Sequence, residues 1–156
     1  MEVYHASTLE IKCPDIFHSR KYLDFGPGFY VTTLRQQAVN YAARFKRRKC
    51  PAVLNVYELS DTYSDYQTLL FDRYDAAWLD FVTDCRSGNT IGEYDIVRGG
   101  IANDKVFRTI DLYFAGDITK DEALKRLLYE KPNDQICFRT QEAIDSCLAF
   151  TKSIEL

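Results

Sequence analysis

Pro51 constrains this chain more than any other residue, because it joins a helix to a strand with no room for a linker. Proline lacks a backbone N–H and its ring clashes with the preceding helical turn, so a helix cannot run through it. Before it, Leu34, Ala38, Tyr41, Ala42 and Phe45 recur at spacings of three and four, which builds one apolar face on a helix from about Leu34 to Lys49. Thr33 is placed to cap that helix. After Pro51, Ala52 to Ser60 alternates as a strand does. The other elements follow the same logic. Val3 to Ser7 is a short strand, followed by an irregular loop from Pro14 to Lys21. The turn Gly26-Pro27-Gly28 introduces a strand from Gly28 to Thr33. Asp75 to Cys85 is helical with Ala76, Trp78, Leu79 and Val82 inward, and Tyr94 to Val97 is a strand ending at Gly99-Gly100. Thr119 and Glu122 form a capping-box pattern that opens a helix whose core face is Ala123, Leu124, Leu127 and Leu128. Ile136 to Phe138 is a late strand, and Thr140 opens a closing helix that carries Ala143, Ile144, Cys147, Leu148 and Phe150 inward. Strands and helices are mixed without strict alternation, so the fold class is α+β, with residues 1–156 as one domain.

Charge and cysteine usage narrow the function. A net charge of −3 argues against a general nucleic-acid binder, which needs a basic field. Lys46-Arg47-Arg48-Lys49 is a local exception; it suits the negative end of a helix dipole, or a phosphate or acidic partner. The five cysteines are odd in number and scattered without a CxxC pair, and only two histidines are present, so no metal site is expected. That pattern fits free thiols in a reducing compartment. No apolar run reaches the length of a membrane span, and Met1 leads directly into Glu2-Val3-Tyr4, so a cytoplasmic location is expected.

Three stretches stand out as chemistry-bearing: Tyr4-His5-Ala6-Ser7, Asp24-Phe25-Gly26-Pro27-Gly28-Phe29-Tyr30 with Thr32-Thr33 and then Tyr41, and Asn133-Asp134-Gln135-Ile136-Cys137-Phe138. In type, order and the eleven-residue interval from Tyr30 to Tyr41, they resemble the His-Tyr-Glu type of ADP-ribosyltransferase, the class of the poly-ADP-ribose polymerases and diphtheria-type toxins. The resemblance is nearest to an uncharacterised bacterial family, DUF3990, and spans nearly the whole chain. It implies an ADP-ribosyltransferase-like fold of mixed sheets with flanking helices, and NAD as substrate.

On that resemblance His5, Tyr30 and Gln135 are the candidate catalytic residues. His5, Ala6, Ser7, Phe25, Gly26, Gly28, Tyr30, Thr32 and Tyr41 are the candidate NAD-binding residues. Tyr30 and Tyr41 would wall a nicotinamide slot, His5 would hydrogen-bond a ribose hydroxyl, and backbone groups at Ala6 would hold the carboxamide. Gly26 and Gly28 let the backbone approach a ligand closely. Asp104, with Asn103, would place a carboxylate at the rim or cap a turn. Three departures set this chain apart. Ala6 stands where the polymerases have Gly, putting a methyl where nicotinamide approaches. Ala38 replaces a serine. The late strand lacks the expected Glu, so either Gln135 or Asp134 takes its place; because side chains alternate on a strand, only one faces the cleft, and Gln135 is chosen. A carboxylate about 4 Å from the developing cation contributes about 4 kcal/mol at an effective dielectric of about 20. Its loss slows the step about a thousandfold.

Those expectations point to a mono-ADP-ribosyltransferase acting on a macromolecular acceptor, with protein favoured over nucleic acid by the acidic charge. The family resemblance adds a bacterial toxin or effector role and a neutralising partner protein. The alternative is a catalytically degenerate NAD-binding or protein-interaction module on the same fold.

Overall fold

The computed structural model describes residues 1–89, 92–100, 104–130 and 133–156. Its elements are β1 (Glu2–Ser7), β2 (Phe29–Val31), α1 (Arg35–Arg47), β3 (Val53–Leu59), a 3-10 turn (Asp61–Asp65), β4 (Thr68–Leu70), α2 (Ala76–Arg86), β5 (Ile96–Gly99), α3 (Asp104–Phe114), α4 (Lys120–Leu127), β6 (Gln135–Phe138), α5 (Gln141–Cys147) and β7 (Leu148–Glu155). The fold is α+β, with the strands in two sheets of order β1-β3-β7 and β2-β6-β5-β4.

The first sheet is antiparallel throughout, with β3 central between β1 and β7. Being covered on both sides explains why six of its seven residues are buried. In the second sheet β2, β6 and β5 are antiparallel, and only β4 pairs parallel, with β5. The sheets touch edge to edge at one bridge, where Tyr4 and Thr32 exchange both backbone hydrogen bonds at 2.8 and 3.0 Å.

Three apolar clusters hold the layers. Trp78, Leu79, Phe81 and Val82 of α2 pack with Phe25, Val97, Val106, Ile110 and Leu127 on one face of the second sheet. Val3, Phe29, Tyr57, Ile136, Phe138 and Ile144 fill the space on the opposite face. Ala38 and Ala42 bring α1 close onto Ala6, Ala52 and Leu54; only small side chains allow that approach. Asp75 caps α2 by accepting from Trp78 N at 3.0 Å, and Thr119 caps α4 by accepting from Glu122 N at 3.2 Å.

Three expectations are corrected. The closing helix stops at Cys147, and Leu148 to Glu155 is a full edge strand on β3, so Leu148 and Phe150 are strand residues. Thr33 does not cap α1: its hydroxyl goes to Asp134, Leu34 is the N-cap residue, and Thr32 Oγ1 accepts from Leu34 N instead. Tyr41, Leu34 and Leu128 are exposed rather than core. The strands β4 and β7 and the helix α3 had no counterpart in the sequence reading.

Candidate active site

The site is organised by a fissure in the backbone pairing between β1 and β2, which stops just past the Tyr4–Thr32 bridge. In an antiparallel ladder the N–H and C=O of one residue point to the same side, and successive residues point to opposite sides. Tyr4 directs both groups at Thr32, so Ala6, two residues on, directs both of its groups the same way, away from β3. By the same register Tyr30 stands opposite Ala6. The ladder does not continue there: among the described residues the Tyr4–Thr32 bridge is the one backbone pairing between β1 and β2. The Ala6 N–H and C=O therefore point toward β2 as an adjacent donor and acceptor without a backbone partner among the described residues.

His5 takes the Tyr30 carbonyl that would otherwise face Ala6. Its Nδ1 lies 2.7 Å from the Tyr30 carbonyl oxygen. Since a carbonyl only accepts, Nδ1 carries the hydrogen and Nε2 is left with a lone pair. The ring stacks on Phe29 at 4.5 Å between centroids. Burial pushes its pKa below the usual 6.5, against the opposing pull of the Tyr30 hydrogen bond, which keeps the ring neutral. The result is a neutral imidazole of fixed tautomer with an acceptor nitrogen beside the fissure.

Tyr30 is half-buried and tied back to the loop before it. Its hydroxyl donates to the Gly26 carbonyl at 2.5 Å and accepts from Phe25 N at 3.1 Å. Burial, reinforced by the Cys137 thiol beside it, holds its pKa well above the ordinary tyrosine value. Its hydroxyl is thus committed, and what it can offer a ligand is a ring face. Gly26 takes a φ of +77°, which suits the turn that brings its carbonyl to Tyr30. Gly28 is required for packing: a Cβ there would lie 2.4 Å from the Phe138 oxygen and 2.6 Å from Cys137 Sγ. Phe25 is fully buried in the α2 cluster. Phe25, Gly26 and Gly28 therefore shape the loop instead of lining an opening.

Gln135 and Asp134 separate cleanly. Gln135 opens β6 and points to the same face as Cys137, the cross-strand partner of Tyr30. It is buried, and its Nε2 is 3.5 Å from the Gly100 carbonyl. The Asp134 carboxylate accepts from Thr33 N, from Thr33 Oγ1 and, at 2.9 Å, from Arg98 Nε. Burial alone would lower the Arg98 pKa, but Asp134 and Tyr63 raise it, so Arg98 stays charged. The Asp134 backbone is also held from both sides by the Gln37 amide, at 2.8 and 3.3 Å. Asp134 is a clamp joining β6 to β5 and to the start of α1, and Gln135 is the residue on Tyr30's face.

The remaining expected residues fall as follows. The Ala6 methyl is buried with Ala38, Ala42 and Leu54 beneath α1, so it does not intrude into the fissure. Ala38 is likewise buried there. Ser7 follows Ala6 and its hydroxyl accepts from Leu9 N at 3.4 Å. Thr32 is buried with its hydroxyl used at Leu34 N. Tyr41 sits one turn beyond Gln37 on the same flank of α1, with Arg44 stacked 3.7 Å over its ring. The expectation at Asn103 and Asp104 lies outside the described residues, apart from the backbone of Asp104, which opens α3. The structure thus gathers His5, Ala6 and Tyr30 at one gap, and it ties up the hydroxyls of Tyr30, Thr32 and Thr33. The role of Asn55 was missed by sequence reasoning: it is fully buried and pins the loop after β1 through Leu9 O and Ile11 N. A polar residue inside an otherwise apolar strand run was its signal. Two surface grooves lie elsewhere, one along α3 at Phe107, Arg108 and Asp111, the other at Met1 and Glu58.

Among the described residues no cluster of His, Cys, Asp or Glu could hold a metal ion, and no helix is long and apolar enough to cross a membrane. No curated protein matches the chain. The family model described as "Protein of unknown function (DUF3990)" matches residues 1–150, and the chain belongs to that family.

Proposed function

We propose that this protein is an NAD-dependent mono-ADP-ribosyltransferase that modifies a macromolecular acceptor. The observation that carries the reading is the His5–Tyr30 hydrogen bond, which takes the Tyr30 carbonyl opposite Ala6, where the Ala6 N–H and C=O are without a strand partner among the described residues. A primary carboxamide has one acceptor and two donors, so it complements an adjacent backbone donor and acceptor. His5 Nε2 accepts from a hydroxyl such as a ribose offers. Tyr30 supplies a ring face beside the gap, and Tyr41 a second ring on the flank of α1; stacking on each is worth about 0.5–1.5 kcal/mol beyond burial. Gln135 is placed on Tyr30's face, where its amide can orient a ribose hydroxyl or the acceptor. It brings no charge, which favours slow turnover and a single transfer over chain growth. An ADP-ribosyltransferase-like fold, a bacterial toxin or effector role, a neutralising partner and a cytoplasmic site of action belong to the same proposal.

A second reading, a non-catalytic NAD-binding or protein-interaction module, is favoured by one feature: the Asp134 carboxylate, the nearest acid in sequence to Gln135, is committed to Thr33 and Arg98. Purified protein incubated with adenylate-labelled NAD and a cell lysate separates the two. The transferase reading predicts label on a discrete macromolecule, lost in His5→Ala and Gln135→Ala. Binding of NAD with neither label transfer nor nicotinamide release would support the module.

A further inference from the structure

We propose that one flank of α1 is a docking track for a single-stranded polynucleotide, running outward from the candidate active site. Between Asp24 and Glu58 the chain has no acidic residue and six cations: Arg35, Arg44, Lys46, Arg47, Arg48 and Lys49, a local charge of +6 in a chain of net −3. None of the six forms an ion pair among the described residues. Their charges are therefore not tied up in direct ion pairs with carboxylates.

The helical repeat orders part of this charge. Gln37, Tyr41, Arg44 and Arg48 follow at intervals of four, three and four, so they form one stripe about 16 Å long. Gln37 anchors the stripe at its inner end, because its amide grips the backbone of Asp134, the residue before Gln135. Tyr41 is 39% exposed, and the Arg44 guanidinium lies 3.7 Å over its ring. An exposed aromatic ring flanked by guanidinium groups matches what a single strand presents, unstacked bases alternating with phosphates. An acidic protein fits less well. Protein interfaces need an apolar core that loses water, yet α1 exposes only Tyr41 and its N-cap residue Leu34 among large apolar side chains, whereas Phe107, Phe114, Leu128 and Tyr129 lie on or beside α3 and α4. The track stands on these observations alone; its use to deliver an acceptor to Gln135 rests on the transferase reading.

The test is binding of a fluorescein-labelled 20-nucleotide single strand, as RNA and as DNA, without NAD, so that failure of the NAD reading leaves it unaffected. Wild type binds, with a log–log salt slope near −0.7 for each phosphate contacted. Arg44→Glu with Arg48→Glu weakens binding on the order of tenfold or more, whereas Lys46→Glu with Arg47→Glu, an equal charge change off the stripe, costs less. Tyr41→Ala weakens it roughly 5- to 150-fold, and Tyr41→Phe restores it. Thermal unfolding of each variant checks that the fold is retained. No binding by wild type, equal losses in the stripe and off-stripe variants, or polyglutamate binding as tightly as the oligonucleotide would each overturn the proposal, the last in favour of an acidic protein.

Discussion

His5 links the chemistry of the site to a measurable pH dependence. Its folded pKa is lowered from 6.5, so as pH falls below about 6.5 the unfolded chain takes up a proton that the folded chain refuses. Its contribution is fully present above that value and is lost as the pH drops. Thermal unfolding between pH 7 and 5 will show the midpoint falling, and His5→Asn, which keeps a donor for Tyr30 but cannot titrate, will flatten that slope. Gly28 gives a second prediction at this scale. A methyl placed 2.4 Å from the Phe138 oxygen must displace backbone, so Gly28→Ala will destabilise by about 1–3 kcal/mol in denaturant unfolding. The order of His5, Tyr30 and Tyr41 and the eleven-residue interval between the two tyrosines were legible in the sequence. The commitment of the Tyr30 hydroxyl to Gly26 was not, because it depends on a turn with a left-handed glycine whose direction sequence does not specify.

At the scale of elements, Asp134 and Gln135 are neighbours with opposite duties. Asp134→Ala leaves Arg98 partly buried without its partner and frees the start of α1, and will cost about 1–3 kcal/mol. Gln135→Ala removes one long hydrogen bond and will cost less stability while abolishing transfer. Urea unfolding and label transfer, measured on both variants, separate the two roles. Period-2 alternation indicated that only one of the pair could face the cleft. The partners of Asp134 could not be read, since Thr33 is 101 residues away and Arg98 is 36. The capped helices α2 and α4 were legible because Asp75 and Thr119 act locally. The strand β7 was hidden because no glycine or proline separates it from α5: Cys147 is helical and Leu148 already extended. Only pairing with β3 decides that switch. Removing residues 148–156 will strip β3 of one neighbour and leave a chain without the far-ultraviolet circular dichroism of the intact fold.

At the scale of the whole molecule, two sheets meet at a single bridge among the described residues, and their pairing stops immediately beyond it. That parting is what makes a site from a strand edge. The α+β class followed from the mixture of elements, whereas the fissure depends on a register between β1 and β2 that no local pattern encodes. The central claim is that NAD is held at the Ala6 edge. Ala6→Pro removes that N–H while sparing the ladder to β3, where Ala6 makes no backbone bond. Thermal unfolding of wild type and Ala6→Pro, each with and without saturating NAD, is the most direct test. NAD at a hundred times its Kd stabilises by about 2.7 kcal/mol, a rise of roughly 5–10 °C for a chain of this size. The account predicts that rise in wild type and its loss in a folded Ala6→Pro. No shift in wild type, or the same shift in both, would contradict it.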